Sequence, residues 1–451
     1  MNFFFETYGC QMNSAESAAL ALVCKERGWK PVSEADTADL VLLNTCSVRA
    51  TAEQRVFGRI AHYTAFKKKR KNGFTFVIAG CMASRLGEKL KHKYPAIDYV
   101  MGTNARGTFP LILEAAENGT HAGININETP EFSFSNSHLE EGEGQPVFRS
   151  FVPIMHGCNN FCSYCIVPYV RGREVSREPQ HIVEEIRLVG EKGVREITLL
   201  GQNVNSYAFQ GTEKTDFAAL LKYLAEQIKN TGVKWIRFLS ANPRNFSKEA
   251  IKVMAENPVF CRHLHLPVQH GSNSVLQAMN RGYTREHFVE LAEEIRAAMP
   301  GITLSTDILI GFPGETEDDV QQTINLMEEI KFLYSYMYHF NPREGTKAFD
   351  LPDRINEEVK KERLARIIEL QLKQTNALLK ERIGSTEMVL IEGISKKNAD
   401  ELITRTEKDE MAVVPGSMSM IGSFAKVKLT AVSGNTLKGE FINGGVACPG
   451  D

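Results

Sequence analysis

At 451 residues and 43% hydrophobic content, the chain has length for about three domains and apolar residues for real cores, which excludes disorder throughout. Lysine and arginine number 53 against 55 aspartate and glutamate, a formal charge of −2, so no global positive field advertises a nucleic-acid partner and any RNA contact must be a local patch. No apolar run approaches the roughly 18 residues of a membrane span, Met1 to Glu6 lacks the features of a signal peptide, and nine cysteines in such a chain read as reduced thiolates for metal or catalysis; a cytoplasmic protein away from membranes is expected.

In chain order, Phe3 to Tyr8, Leu40 to Asn44 and Phe74 to Gly80 are apolar runs, and Ala15 to Arg27, Ala52 to Phe66 and Leu86 to Lys93 carry helical periodicity. That alternation predicts a parallel α/β sheet in an N-terminal domain, residues 1–127. Residues 128–147 are polar, acidic and short of aliphatics, a linker composition. A second series follows, with strands near Phe151 to Met155, Glu196 to Leu200, Trp235 to Leu239, His263 to Leu266, Thr303 to Ile310 and Ser335 to Phe340. Helical stretches separate them: Ile182 to Gly190, Phe217 to Ile228, Arg285 to Ala298 and Thr316 to Ile330, the last opened by a Thr316 cap with Asp319 three residues on. Six such units predict a partial (βα)6 barrel over residues 148–383, closed by a charged helix from Asn356 to Arg382. Beyond Gly384 the period becomes two, in Glu387 to Ile391, Glu401 to Arg405, Ala412 to Val414, Phe424 to Thr430 and Thr436 to Phe441. Five short strands predict a small antiparallel β-barrel at 384–446.

Cys158, Cys162 and Cys165 form a C-x3-C-x2-C run directly after the first strand of the predicted barrel. Three thiolates on one loop leave the fourth iron of a [4Fe–4S] cubane open to a substrate's amino and carboxylate groups. Structural zinc is the alternative, but such sites close with four ligands, and His156 has no knuckle partner. This segment resembles the radical S-adenosylmethionine (radical SAM) enzymes. The resemblance implies S-adenosylmethionine contacts at Tyr164, at Gly201, Gln202 and Asn203 after the second strand, at Ser240 and Gln269 on later strand ends, and at Asp307. Read without the cysteines, the Gly-rich turns among these are simply turns.

Cys10, Cys46 and Cys81 lie 36 and 35 residues apart, too far for a local knuckle, yet each directly follows an apolar strand. The carboxyl ends of a parallel sheet share one edge, so the three thiolates can converge there. Three ordinary buried cysteines are the alternative. With Glu6 to Asn13, Asn44 to Arg49 and Cys158 to Arg173, the chain resembles the radical SAM methylthiotransferase family, and its last stretch resembles that family's TRAM domain. The match favours the branch acting on tRNA isopentenyladenosine over those acting on threonylcarbamoyladenosine or a ribosomal protein.

The resemblance implies a tRNA-modifying enzyme that replaces hydrogen at carbon 2 of N6-isopentenyladenosine, next to the anticodon, with a methylthio group. It implies two [4Fe–4S] clusters, the auxiliary one on Cys10, Cys46 and Cys81, and two S-adenosylmethionine molecules per turnover. One methylates sulfur at the auxiliary cluster and the other yields a 5′-deoxyadenosyl radical. It further implies a monomer served by an electron donor such as a flavodoxin or ferredoxin. An iron–sulfur RNA-binding or redox-sensing protein without enzymatic activity is the reading from another class. Lys67, Lys68, Lys69, Arg70 and Lys71 close a predicted helix and read either as a solvated end or as an RNA backbone contact. From Gly384 onward seven basic residues face nine acidic ones, so an RNA role there rests on resemblance, with Lys396, Lys397 and Arg405 as candidates. Cys261, His263, His265 and His270 suggest a third metal, against which both triads are already filled. Cys24 and Cys448 read as free thiols.

Overall fold

The structure, a computed structural model, describes residues 1–47, 50–70, 73–120, 147–211 and 214–447. The predicted linker, apart from Val147, lies outside these residues, as do Lys71 and Cys448. Five strands, β1 (Asn2–Thr7), β2 (Lys30–Pro31), β3 (Leu40–Thr45), β4 (Thr75–Gly80) and β5 (Tyr99–Met101), form the first sheet in the order β2-β1-β3-β4-β5, all parallel. Side chains alternate across a strand, so Leu40, Leu42 and Val77 enter a core with Phe109 while Val41, Leu43 and Ile78 enter another with Tyr63. Helix α1 (Gln11–Glu26) follows β1, α2 (Ala50–Lys69) follows β3 and α3 (Cys81–Leu86) follows β4. The helix expected from Leu86 to Lys93 is instead two, because Gly87 turns left-handed (φ 50°) between α3 and Glu88–Lys93.

In the central domain β6 (Arg149–Pro153), β7 (Glu196–Leu200), β8 (Trp235–Phe238), β9 (His263–His265), β10 (Thr303–Ile310) and β11 (Tyr334–His339) stand in chain order. Their ladders are parallel, and β8 passes to β9 through the bridge Ile236↔Phe260. No ladder among the described residues joins β11 back to β6, so the barrel is partial. The capping box at Thr316 and Asp319 is present as read from the sequence. Short helix α4 (Val167–Arg171) follows the cysteine loop, and α5 (Glu357–Glu381), capped by the Asn356 side chain, runs along β11. There Ser335 donates to Gln371 at 2.8 Å.

The C-terminal barrel closes β12 (Thr386–Ile394), β13 (Glu401–Thr406), β14 (Met411–Pro415), β15 (Phe424–Ser433) and β16 (Thr436–Ala447) in the order β12-β13-β14-β16-β15. Its ladders are antiparallel except β14 with β16, which are parallel. The last two strands outrun the alternating pattern because bulges at Ala425/Val427 and Leu429/Ala431 break the period of two. No helix among the described residues is long and apolar enough to cross a membrane.

The turn between β13 and β14 plugs the amino-terminal mouth of the central barrel. Arg237 donates from Nη2 to the Thr406 carbonyl at 2.8 Å, from Nη1 to the Glu407 carbonyl at 3.0 Å and from Nε to Glu196 at 2.8 Å. The Thr303 hydroxyl donates to the Lys408 carbonyl at 2.7 Å and the Tyr334 hydroxyl to Asp409 at 2.5 Å. Burial pushes His263 down from 6.5 to about 3, and Asp409, although buried, is held below its ordinary 3.8 by His263, Arg237 and Arg405. Both shifts favour the deprotonated form in the folded chain, so protons bind the unfolded chain first and stability falls as pH drops below about 6.5, more steeply below about 4. Thermal melts from about pH 7 down to about pH 4 should show this decline, and His263→Gln should flatten its upper part. An equal decline in that variant would place the acid sensitivity elsewhere.

Candidate metal centre and active site

Register sets the first triad. Thr7 pairs with Asn44 and Thr45 with Gly80, so the carboxyl ends of β1, β3 and β4 are level. Cys10 caps α1, Cys46 directly follows β3, and Cys81 opens α3. The Cys10 and Cys46 loops touch: a Cβ on Gly9, whose φ is 125°, would come within 2.6 Å of Cys46 Cβ. Asn13 ties them together, its Nδ2 donating to the carbonyls of Tyr8 at 2.9 Å and Thr45 at 3.0 Å while its Oδ1 lies 3.7 Å from Cys10 Sγ. Burial pushes the Cys81 thiol up to about 12, against the nearby Arg171 guanidinium.

The second triad sits on the loop from β6 to α4. Gly157 opens it at φ 76°, where a Cβ would fall 1.9 Å from the Arg173 carbonyl oxygen, so only glycine lets Cys158 donate to the Gly172 carbonyl at 3.1 Å. Gln202 Oε1 accepts from Gly157 N at 2.6 Å, and Asn203 Nδ2 donates to Glu174, which also receives the Asn159 amide. Two residues expected to touch S-adenosylmethionine thus brace the cysteine loop. Burial pushes Cys158 up to about 11 and Cys165 to about 12. Tyr164 packs with Phe312 and Phe340, Gln269 donates to Asp307 at 3.4 Å, and Gly201 lies against Met155. Ser240 (φ 64°) and Gln269 (φ 73°) are both left-handed at strand ends, backbone strain of the kind kept at ligand sites.

The first triad meets the second domain at α4, the helix into which the second triad's loop leads. Cys81 packs on Ile166 and Val170, Thr103 Oγ1 donates to the Val170 carbonyl at 2.6 Å, and the buried Arg171 donates to Glu16 at 2.6 Å and Asn13 at 2.9 Å. Glu53 accepts from Arg343 of the central domain at 3.1 Å. Asn13, Glu16, Arg171, Glu174 and Arg281 were not singled out by sequence. Asn13 and Arg171 lie within the segments that carry the resemblance, Glu16 and Glu174 only near the cysteines, and Arg281 stands far along the chain from Cys162.

Other expected sites are placed differently. Lys67 pairs with Asp98, and Arg70 donates to the Ala38 carbonyl and lies over the Phe74 ring, so of the run only Lys68 and Lys69 are exposed among the described residues. Arg405 is held between Glu392 and Asp409, whereas Lys396 and Lys397 are exposed. Lys67, Arg70 and Arg405 thus already have partners within the fold, with which a phosphate would have to compete. His263 and His265 bracket the Ser305 hydroxyl at 2.9 and 3.0 Å, His270 lies 3.1 Å from Glu315, and burial pushes Cys24 and Cys261 up. Among the described residues no three His, Cys, Asp or Glu side chains close around a single ion. A cubane spreads its ligands over separate irons and asks for a wider set of thiolates, which three cysteines at neighbouring strand ends and three on one loop, each set beside a buried guanidinium, fit.

The radical SAM superfamily model matches residues 152–327, the model of uncharacterized protein family UPF0004 matches 2–102, and the TRAM domain model matches 380–442. Among solved structures, the radical S-adenosylmethionine methyltransferase TsrM from Kitasatospora setae matches at TM-score 0.60 and 16% identity over 77% of each chain, a likeness of fold. Proteins named tRNA-2-methylthio-N(6)-dimethylallyladenosine synthase are similar over nearly the whole length. That of Treponema denticola is 48% identical over 97% of this chain and 99% of its own, and that of Geobacter sulfurreducens 42% identical over 97% of each. With three domain matches in order and identity of this extent, the chain belongs to the radical SAM family of tRNA-2-methylthio-N(6)-dimethylallyladenosine synthases.

Proposed function

We propose that this chain methylthiolates carbon 2 of N6-isopentenyladenosine next to the anticodon of tRNA, with an auxiliary [4Fe–4S] cluster on Cys10, Cys46 and Cys81 and a second on Cys158, Cys162 and Cys165. The observation that carries this reading is the packing of Cys81 on Ile166 and Val170, on the short helix that directly follows the Cys158 to Cys165 loop. When bound, the two clusters and two S-adenosylmethionine molecules per turnover supply the radical and the methylated sulfur. The chain's own residues do the positioning. Gln202, Asn203 and Glu174 hold the cysteine loop; Tyr164 on that loop, Gly201, Ser240 and Gln269 beyond strands β7, β8 and β9, and Asp307 within β10 would meet S-adenosylmethionine; Arg171 and Glu16 tie the first domain to α4. An unpaired anticodon-loop adenine can leave its stack to enter the gap between triads. The units at 1–127, 148–383 and 384–446 act in one cytoplasmic, monomeric enzyme fed by a flavodoxin or ferredoxin.

Mass spectrometry of nucleosides, after reaction with tRNA carrying isopentenyladenosine, should find the 2-methylthio product. Product on threonylcarbamoyladenosine instead, or S-adenosylmethionine left intact under reduction, would sink this reading.

RNA phosphate is expected to meet Lys68, Lys69, Lys396 and Lys397. Replacing Lys68 and Lys69 by Gln should lower the slope of log affinity against log salt by roughly 0.7 to 0.9 for each phosphate that a lysine no longer neutralises. Lys67→Gln should leave the slope unchanged and cost stability instead, since its partner Asp98 is half-buried. Titrations at two salt concentrations separate the two effects.

A further inference from the structure

Five arginines are buried among the described residues: Arg171, Arg177, Arg237, Arg281 and Arg363. Four pair with a glutamate, respectively Glu16, Glu185, Glu196 and, for Arg363, Glu315. Arg281 has no carboxylate within ion-pairing reach among the described residues. Its Nη2 donates to the Pro267 carbonyl at 2.8 Å and its Nε to the Tyr283 hydroxyl at 2.9 Å, while Nη1 lies 3.3 Å from Cys162 Sγ and 3.4 Å from the Tyr164 hydroxyl. A buried guanidinium without an anion is costly, so this cation calls for a negative partner at Cys162.

Its position is held by backbone. Ser163 donates to the carbonyls of Met279 and Ala278, and Asn280, itself left-handed at φ 57°, donates from Nδ2 to the carbonyls of Asn160 and Phe161. The segment 278–281 therefore grips the cysteine loop from outside and carries Arg281 to the sulfur with little freedom to withdraw.

We propose that Arg281 is the counter-ion of the iron–sulfur group on Cys158, Cys162 and Cys165, raising its reduction potential by a charged hydrogen bond to Cys162 Sγ. The inference rests on reading that loop as a cluster site. Reduction moves one electron from an external low-potential donor onto the cluster, with no bond made or broken and no proton transferred. The cluster becomes one unit more negative, so a fixed cation beside it stabilises the reduced state more than the oxidised. Arg281 is thus a positioning residue that acts through the cluster.

The test uses the full chain with Cys10, Cys46 and Cys81 replaced by alanine, so that a single cluster reports. Dithionite titration followed by electron paramagnetic resonance compares this background with Arg281→Met, Arg281→Gln and Arg281→Lys. At a fixed potential the ratio of reduced to oxidised cluster should fall about tenfold in the Met and Gln variants, equivalent to 59 mV for one electron, and recover most of the way in the Lys variant. Loss of iron from Met and Gln but not from Lys supports the same need for counter-charge. An unchanged ratio in an iron-loaded Met variant, or iron lost from all three, overturns it. Failure of the background chain itself to take up iron would refute the cluster reading instead, and is seen before any Arg281 variant is measured.

Discussion

Replacing Cys162 by alanine is expected to abolish 5′-deoxyadenosine formation, whereas Cys46→Ala should keep that cleavage within a few-fold of the native chain and lose the methylthio product. The two cysteines belong to different triads on different domains, one on the loop after β6 and the other directly after β3. If each triad holds a cubane as proposed, each variant removes one of its three ligands, so the native chain, reconstituted anaerobically, should carry about eight irons and each variant about four. Methylthio product formed by Cys46→Ala would refute the auxiliary role, and about four irons in the native chain would remove one cluster altogether.

Glu16→Gln should destabilise the chain by about 3–5 kcal/mol, because it leaves Arg171 buried without its carboxylate. Glu16 Oε1 lies 2.6 Å from Arg171 and 3.8 Å from Arg106, and these guanidiniums, outweighing burial, hold its carboxyl below the usual range. The pair joins α1 of the first domain to α4 of the second, so its loss should also loosen the gap between triads and lower iron retention at Cys10 and Cys81. Glu16→Gln combined with Arg171→Met should recover much of the lost stability, since it is the uncompensated charge that is costly. A urea midpoint for Glu16→Gln equal to the native one would show that water screens the pair.

The strands were legible because parallel sheets buried on both faces read as apolar runs: Leu40 to Leu43 are fully buried, and the predicted strand Leu40 to Asn44 ends one residue before Thr45 closes it. Strand β5 and the helix Phe109–Glu117 escaped notice, the first because three residues carry no period. All six cysteines of the two triads were legible from spacing or from place at a strand end. Arg281 and Glu16 were not, since a charged residue in a helix or turn looks solvated until tertiary packing buries it. The basic run shows the converse: five consecutive cations look like one patch, yet a helix turns each by about 100°, and Lys67 meets Asp98 while Lys68 meets water.

The turn of the C-terminal barrel at Thr406 to Asp409 also decides which parts of this protein could be exchanged between relatives. Arg237 spends two donors on carbonyls of that turn, and carbonyls are present in any sequence, so backbone shape alone satisfies most of the joint. Asp409 is the exception, because Tyr334 and Arg405 both bond its carboxylate. A chimaera carrying a foreign TRAM domain would need the turn's length and an acid at this one place. With both it should dock as a native part, and without the acid it should leave the floor of the catalytic barrel open to water.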